Sequence, residues 1–478
     1  MVVKKKIRKV LVANRGEVAT RIIRACKELG IKTVAIYSEV DANGIWVKKA
    51  DEAYMIPGDP IKAYLNFYKI VDLAKQTRCD AIHPGYGFLS ENADFAEYCE
   101  KKDLIFIGPK PEHIRLFGDK IASKKAMREV GVPVLPGTIE PITDIGEAKR
   151  IAKEIGFPVI IKAAFGGGGR GMRVVEREED FEELFKSATS EAEKFFGKGD
   201  VFIEKYVKNP RHIEIQILAD KYGNVIHLGE RDCSIQRRHQ KIIEIAPSPR
   251  LNPEVRRELF RVAVKSMFKL GYESAGTLEF LVDEDDNFYF IEMNTRLQVE
   301  HTITETITGV DIVQRMIRIA EGEKLPFLQE DINFRGYAIE FRINAEDPTK
   351  NFAPSPGKIT SYYSPGGPGV RIDAAVYKDY IIPPYYDSMI AKLTVWALTW
   401  KQTVNRARRA LEEFQVRGVP TNLPLLRQVV RDKDFMEGRF DTSYLDKKLP
   451  TFKLKPKDES PEDLAVVIAA AIAAYHRV

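Results

Sequence analysis

The first hundred residues alternate short apolar runs with longer stretches of helical periodicity. Lys9–Ala13 reads as a strand, Glu17–Leu29 repeats its apolar positions at helical spacing, and Thr33–Tyr37 reads as a second strand closed by Ser38 and Asp41. The alternation resumes with a helix at Tyr68–Thr77, a strand at Ala81–His83, the turn PGYGFLSEN, a helix at Ala93–Lys101 and a strand at Leu104–Ile107. Strands alternating with helices predict a parallel sheet of doubly wound α/β type. The first βα turn, ANRGEVATR, lacks the G-x-G-x-x-G spacing, which argues against a nicotinamide dinucleotide.

From Gly118 the pattern changes: a basic helix at Lys120–Val130, the Pro-rich break VPVLPG, then a strand at Val159–Ala163 leading into GGGGRG. Residues 200–343 alternate with period two and predict a mixed or antiparallel sheet. More strands follow between Phe334 and Leu393, with turns at SPG and PGGPG, and Arg406–Phe414 reads as a helix. Residues 450–463 read as a linker, and a last helix opens with Ser460 as N-cap and Pro461 at its first position. There is no internal repeat or low-complexity tract.

Composition narrows the class. A chain of 478 residues exceeds one ordinary core, so about two to four structural units are expected. A net charge of +5 is too small at this size to support nucleic-acid binding. The four cysteines lie far apart, without a CxxC pair or histidines at zinc spacing, which fits a reducing compartment. The basic N-terminus lacks a signal-peptide pattern. The longest apolar run, Leu464 to Tyr475, reaches only about 18 Å as a helix against about 30 Å of bilayer. The expectation is a cytoplasmic protein with no membrane span.

Three stretches carry candidate chemistry. Gly166, Gly167, Gly168 and Gly169 follow the strand bearing Lys162, and glycines let backbone N–H groups approach phosphate oxygens. No G-K-[ST] follows, so this is not a P-loop, and a flexible hairpin loop reads the run equally well. GTLEFLVDEDDNFYFIEMN reads as a hairpin. Pairing Asp283 with Phe288 sets Glu279 opposite Glu292, and two carboxylates about 5 Å apart repel by roughly 3 kcal/mol at an effective dielectric near 20. A divalent cation offsets this best, and oxygen donors favour magnesium over zinc. The alternative is a solvated pair, but both strands are otherwise apolar. Beyond Glu292, the residues Asn294, Arg296, Gln298 and Glu300 share one face of an extended chain, as a small-anion site or a salt-bridge ladder. On spacing alone the run Arg237–Lys241 reads as a solvated basic loop, Arg342 as a salt-bridge partner, His83 and His301 as structural, Cys233 as packing, and His212 stays open.

Taken together, KVLVANRGE, HPGYGFLSEN, IGP, GDK, GGGGRGM, EKY, RHIEIQ, ERDCSIQRRHQK, EMNTRLQVEH, FRINAEDP, PSPGKI and PYYDSMIAKL resemble the biotin carboxylase family of the ATP-grasp superfamily, from about residue 6 to 449. The resemblance implies an α/β and α+β multidomain chain. An N-terminal doubly wound, Rossmann-like domain would span 1–117 and an ATP-grasp core 118–333, with a mobile lid at about 134–206. A C-terminal α/β biotin carboxylase domain would span 334–449, with linker and terminal helix at 450–478. By the same resemblance, Lys120, Lys162 and the glycine loop would contact the phosphates of ATP. Glu204, Lys205, Val207, His212, Gln236, His239, Glu279, Leu281 and Glu292 would surround the nucleotide. Glu279, Glu292 and Asn294 would hold two magnesium or manganese ions. Lys241, Arg296, Gln298, Val299 and Glu300 would surround bicarbonate, and Tyr86 and Arg342 would meet biotin. Glu300 would be the base, with Lys241, Arg296 and Arg342 as its catalytic partners.

A biotin-accepting lysine normally follows methionine, and none of the nine methionines precedes a lysine. The expectation is that biotin arrives on a separate carrier or carboxyltransferase polypeptide, and by resemblance that the chain is a homodimer. Ile245 in KIIEIAP and the tail after 450 lean towards the separate biotin carboxylase subunit of a two-subunit pyruvate carboxylase. 2-Oxoglutarate or an acyl-CoA remain as other acceptors. Competing readings are a different ATP-grasp ligase, making carbamoyl phosphate or a carboxylated purine, and a non-catalytic nucleotide-binding subunit.

Overall fold

The computed structural model describes residues 4–138, 140–163, 172–196, 201–454 and 469. The glycine run 166–169 and the helix expected from Ser460 lie outside them.

The N-terminal alternation folds as its pattern predicts. Strands β1 (Lys9–Val12), β2 (Lys32–Tyr37), β3 (Glu52–Met55), β4 (Ala81–His83) and β5 (Ile105–Phe106) form one sheet in the order β3-β2-β1-β4-β5. Every neighbouring pair is parallel. Helices α1 (Gly16–Glu28), α2 (Phe67–Gln76) and α3 (Ala93–Lys101) pack on it. Asn66 and Asn92 start α2 and α3, their side chains accepting from Lys69 and Phe95 backbone N–H groups.

Next comes α4 (Lys120–Glu129), capped by Asp119, then a small antiparallel sheet of β6 (Val159–Ala163), β7 (Met172–Val175) and β8 (Val201–Lys205) in the order β7-β6-β8.

The centre of the molecule is an eight-stranded antiparallel sheet. Its strands are β9 (Arg211–Ala219), β10 (Val225–Arg237), β11 (Gln240–Ala246), β12 (Ser274–Val282), β13 (Phe288–Asn294), β14 (Tyr337–Asn344), β15 (Val370–Ala374) and β16 (Met389–Ala397). They lie in the order β13-β12-β9-β10-β11-β14-β16-β15. This one sheet runs across the boundary expected at 333/334.

Period-two alternation between 200 and 343 also conceals three helices, α5 (Pro253–Lys269), α6 (His301–Thr308) and α7 (Ile312–Ala320). Helix α5 lays Leu259, Val262 and Met267 against Ile213, Ile215 and Ile217, so one face of β9 is sealed by apolar packing. The helix expected over Arg406–Phe414 is α8 (Trp400–Glu413), which begins earlier because Thr399 caps it, accepting from the Gln402 N–H at 3.3 Å.

Candidate active site

Strand β9 alternates Ile213, Ile215 and Ile217 with His212, Glu214 and Gln216. The polar set points away from α5, yet it is as buried as the isoleucines. Inter-strand register then builds a row across four strands: Arg231 on β10 faces Glu214 on β9, Glu214 faces Glu279 on β12, and Glu279 faces Glu292 on β13. Three carboxylates in line demand cations, and the protein supplies them from neighbouring elements.

The register of the β12–β13 hairpin corrects one expectation. Val282, not Asp283, pairs with Phe288, so a uniform ladder would bring Glu279 opposite Ile291. An irregularity between Phe280 and Glu279 takes up one residue on β13 and restores the Glu279–Glu292 pairing. The pair follows from a bulge, not from the turn.

Lys241, just inside the β10–β11 turn, donates to Glu279 Oε1 at 2.9 Å and to Glu300 Oε1 at 2.9 Å, and bonds Glu214 as well. His212 Nε2 lies 2.7 Å from Glu279 Oε2, while its Nδ1 lies 2.7 Å from Gln236 Nε2, the arrangement of a ring protonated at Nε2. Asn294 Nδ2 donates to Glu279 Oε1 at 2.7 Å. Burial raises the pKa of Glu279, but Lys241 and His212 outweigh it and hold the carboxyl well below the usual range. Burial and the neighbouring Glu279 push Glu292 up. Repulsion between the paired glutamates is thus met here by Lys241 and His212, so it does not by itself require a metal.

The chain beyond Asn294 leaves the sheet and does not stay extended to Glu300; it turns, and Glu300 becomes the N-cap of α6. Arg296 bridges this bend, donating to Asn294 Oδ1 at 2.7 Å, Gln298 Oε1 at 3.0 Å and Glu91 at 2.8 Å. Glu300 is fully buried, its second oxygen 3.1 Å from Arg342, whose Nε donates to Glu244 at 2.5 Å. Burial opposes ionisation of Glu300, but Lys241, Arg342 and Arg231 overcome it and keep the carboxyl well below its ordinary pKa. Burial, with Glu300's charge added, raises Glu214.

The remaining predicted residues are spread around this cluster. Lys162 donates to Glu204 at 2.5 Å within the small sheet, and Lys124 of α4 bonds the same carboxylate, joining that sheet to the body. Lys120 opens α4 and its charge acts on Glu292. Lys205 turns its ammonium to the Gly156 carbonyl at 2.8 Å, and Val207 lies just past β8. Leu281 pairs with His212 across β12 and β9. His239 sits exposed at the β10–β11 turn with a left-handed backbone, φ 63°. Arg237, by contrast with the solvated-loop reading, is buried against Glu346 at 2.8 Å and Phe352. Tyr86 presents its ring to Lys392, which is the direct cross-strand neighbour of Arg342.

Glu214, Arg231, Glu244, Lys124 and Lys392 are site residues absent from the sequence reading. The signal for Glu214 is plain in RHIEIQ, where every second residue is polar between isoleucines. For Lys392 it is a single charge in the apolar strand MIAKLTVWA. The donors of Glu279, Glu292 and Asn294 are all oxygens, a set that fits a hard divalent cation once Asn294 Oδ1 is released from Arg296.

Comparison with known proteins identifies the family. Residues 119–328 match the family described as carbamoyl-phosphate synthase L chain, ATP binding domain. The protein is therefore an ATP-grasp enzyme. The flanking segments decide which kind: residues 6–114 match the biotin carboxylase N-terminal domain and residues 340–447 the biotin carboxylase C-terminal domain. The chain belongs to the biotin carboxylase family. It is 57% identical over 469 residues to the 2-oxoglutarate carboxylase small subunit of Hydrogenobacter thermophilus, covering 98% of this chain and 99% of that one. A pyruvate carboxylase subunit of Methanothermobacter thermautotrophicus is 55% identical over 439 residues, 92% of this chain and 89% of that one. The crystal structure of the H. thermophilus biotin carboxylase domain dimer, in complex with MgADP, ADP and bicarbonate, superimposes with a TM-score of 0.88 at 57% identity, over 95% of this chain and 100% of that one.

Proposed function

We propose that this protein spends ATP to activate bicarbonate as carboxyphosphate and carboxylates biotin borne by a partner polypeptide, the first half-reaction of a pyruvate or related 2-oxoacid carboxylase. The observation that carries the proposal is Glu300, a buried carboxylate kept ionised between Lys241 at 2.9 Å and Arg342 at 3.1 Å. An ionised carboxylate among fixed cations suits proton abstraction from a small anion that those cations attract.

In this reading Glu300 takes the proton of bicarbonate, whose oxygen attacks the γ-phosphorus of ATP as the bond to ADP breaks. Lys241, Arg296, Gln298 and the Val299 backbone hold the anion. Lys120, Lys162 and the loop Gly166–Gly169 serve the phosphates, and Glu204, Lys205, Val207, His212, Gln236, His239 and Leu281 the rest of the nucleotide. Glu279, Glu292 and Asn294 would hold magnesium or manganese, whose charge would neutralise phosphate oxygens. Carboxyphosphate then separates into carbon dioxide and phosphate, the phosphate takes the N1′ proton of biotin, and N1′ attacks carbon dioxide. Arg342 stabilises the enolate-like biotin oxygen beside Tyr86. These assignments join the geometry above to the family resemblance.

Both curated relatives are, by name, single subunits of 2-oxoacid carboxylases, which supports a carrier on a separate chain and a 2-oxoacid as final acceptor. The dimer described for the H. thermophilus domain supports the same assembly here. The three family matches support units close to 1–117, 118–333 and 334–449. No helix among the described residues is long and apolar enough to cross a membrane, and we place the protein in the cytoplasm. Bicarbonate-dependent ATP hydrolysis with and without free biotin tests the proposal. Stimulation by biotin is expected; normal ATP binding with no stimulation overturns it.

A further inference from the structure

Strand β16 carries one charge in its interior, Lys392, and the side chain is fully buried. Removing an ammonium from water is costly, so the groups that Lys392 meets are informative. Its nearest carboxylate oxygen, on Glu17 of α1, is 3.3 Å away, and neither Glu17 oxygen has a hydrogen-bond partner. The short bond, 2.7 Å, goes instead to the main-chain carbonyl of Val299.

Val299 immediately precedes Glu300 in the turn that caps α6. Lys392 and Arg342 are direct neighbours across β16 and β14, so two adjacent cations grip consecutive residues, one by its backbone and one by its carboxylate. The ammonium also lies over the Tyr86 ring, 5.7 Å from its centroid, and the Tyr86 hydroxyl is buried with no partner. Three parts of the chain far apart in sequence therefore meet at one ammonium: the 298–300 turn, the turn PGYGFLSEN and helix α1.

We propose that Lys392 is a positioning residue for carboxylation: by holding the Val299 carbonyl it sets the direction of the Glu300 carboxylate, and by backing Tyr86 it ties that setting to the face expected to meet biotin. The inference rests on the function proposed above. Lys392 touches no reacting atom; it acts through Glu300.

Lys392→Met tests it. Biotin-stimulated, bicarbonate-dependent ATP cleavage is expected to lose kcat by up to about 100-fold, the effect of moving a reacting group by about 1 Å, while KM for ATP holds. Added to Glu300→Gln, the substitution should cost nothing further, because both act at one carboxylate. Lys392→Arg keeps the charge but displaces the donor, and carries the same test if the methionine variant does not fold. Unchanged kcat, or a further loss on top of Glu300→Gln, overturns the proposal. If the reading of function itself is wrong, the wild type shows no biotin stimulation. The crystal structure of the variant then decides: a displaced Val299–Glu300 turn supports the role, and a turn superimposable on the wild type overturns it.

Discussion

In the five-stranded parallel sheet, Val10, Leu11, Val12, Val34 and Ile36 are sealed from water, and both faces of β1 and β2 are apolar. In the eight-stranded antiparallel sheet one face is like this, with Ile213, Ile215 and Ile217 under α5. Its other face buries Glu214, Arg231, Glu279, Glu340 and Lys392 just as deeply. The first arrangement gains stability from the apolar residues it hides. The second gains little, because the desolvation of each charge consumes most of what pairing returns. What it gains is a set of charges fixed before any substrate arrives, which is the condition for electrostatic catalysis. Substitutions in the two sheets should therefore fail differently.

The largest effect is expected at Glu300. Glu300→Gln should lower biotin-dependent ATP cleavage by about 10²- to 10⁴-fold, the range for a lost general base, with nucleotide affinity retained. An equal loss of affinity in a nucleotide titration would show that the charged face cannot be altered without collapsing the site. The counterpart in the parallel sheet is Ile36→Ala. A buried isoleucine cut to alanine should cost about 2–5 kcal/mol in urea unfolding, while kcat per folded molecule stays at the wild-type value. A fall in kcat matching the loss of stability would erase the contrast between the sheets.

The same contrast governs what could be read from sequence. Ala81–His83, Ala93–Lys101 and Val159–Ala163 fold with the limits their patterns predict, because apolar periodicity is the force that makes them. Residues 253–269 also carry a legible start, Asn252 before Pro253, yet strong alternation on both sides hides the helix. The Glu279–Glu292 pair was visible as two acids in one hairpin, but the bulge that aligns them has no local signature in DEDDNFYFIE. Nor does anything near Val299 announce a lysine 93 residues later, because the contact depends on how β14 and β16 meet. Core residues are specified by their neighbours in sequence, and site residues by their neighbours in space.

Glu17 stands where the two regimes join: it belongs to α1 of the parallel unit and its carboxylate faces Lys392 of the antiparallel sheet. Burial pushes its pKa from 4.5 to about 7, a rise that Lys392 only partly opposes. Between those values the folded chain keeps a proton that the unfolded chain has released, so stability falls as pH rises through this window and levels off above about 7. Glu17→Gln removes the dependence. The stability of the variant relative to wild type should climb between pH 5 and pH 8 by about 1–3 kcal/mol, read from urea unfolding at each pH. This is the smallest of the three effects and the one that discriminates most finely. A climb means that Glu17 behaves as a buried carboxyl group, its proton retained because burial, with Asp373 and Glu340 nearby, disfavours the charge more than Lys392 favours it. A difference constant with pH would mean that Lys392 holds it ionised throughout, and the paired charges of the antiparallel sheet would then extend one residue into α1.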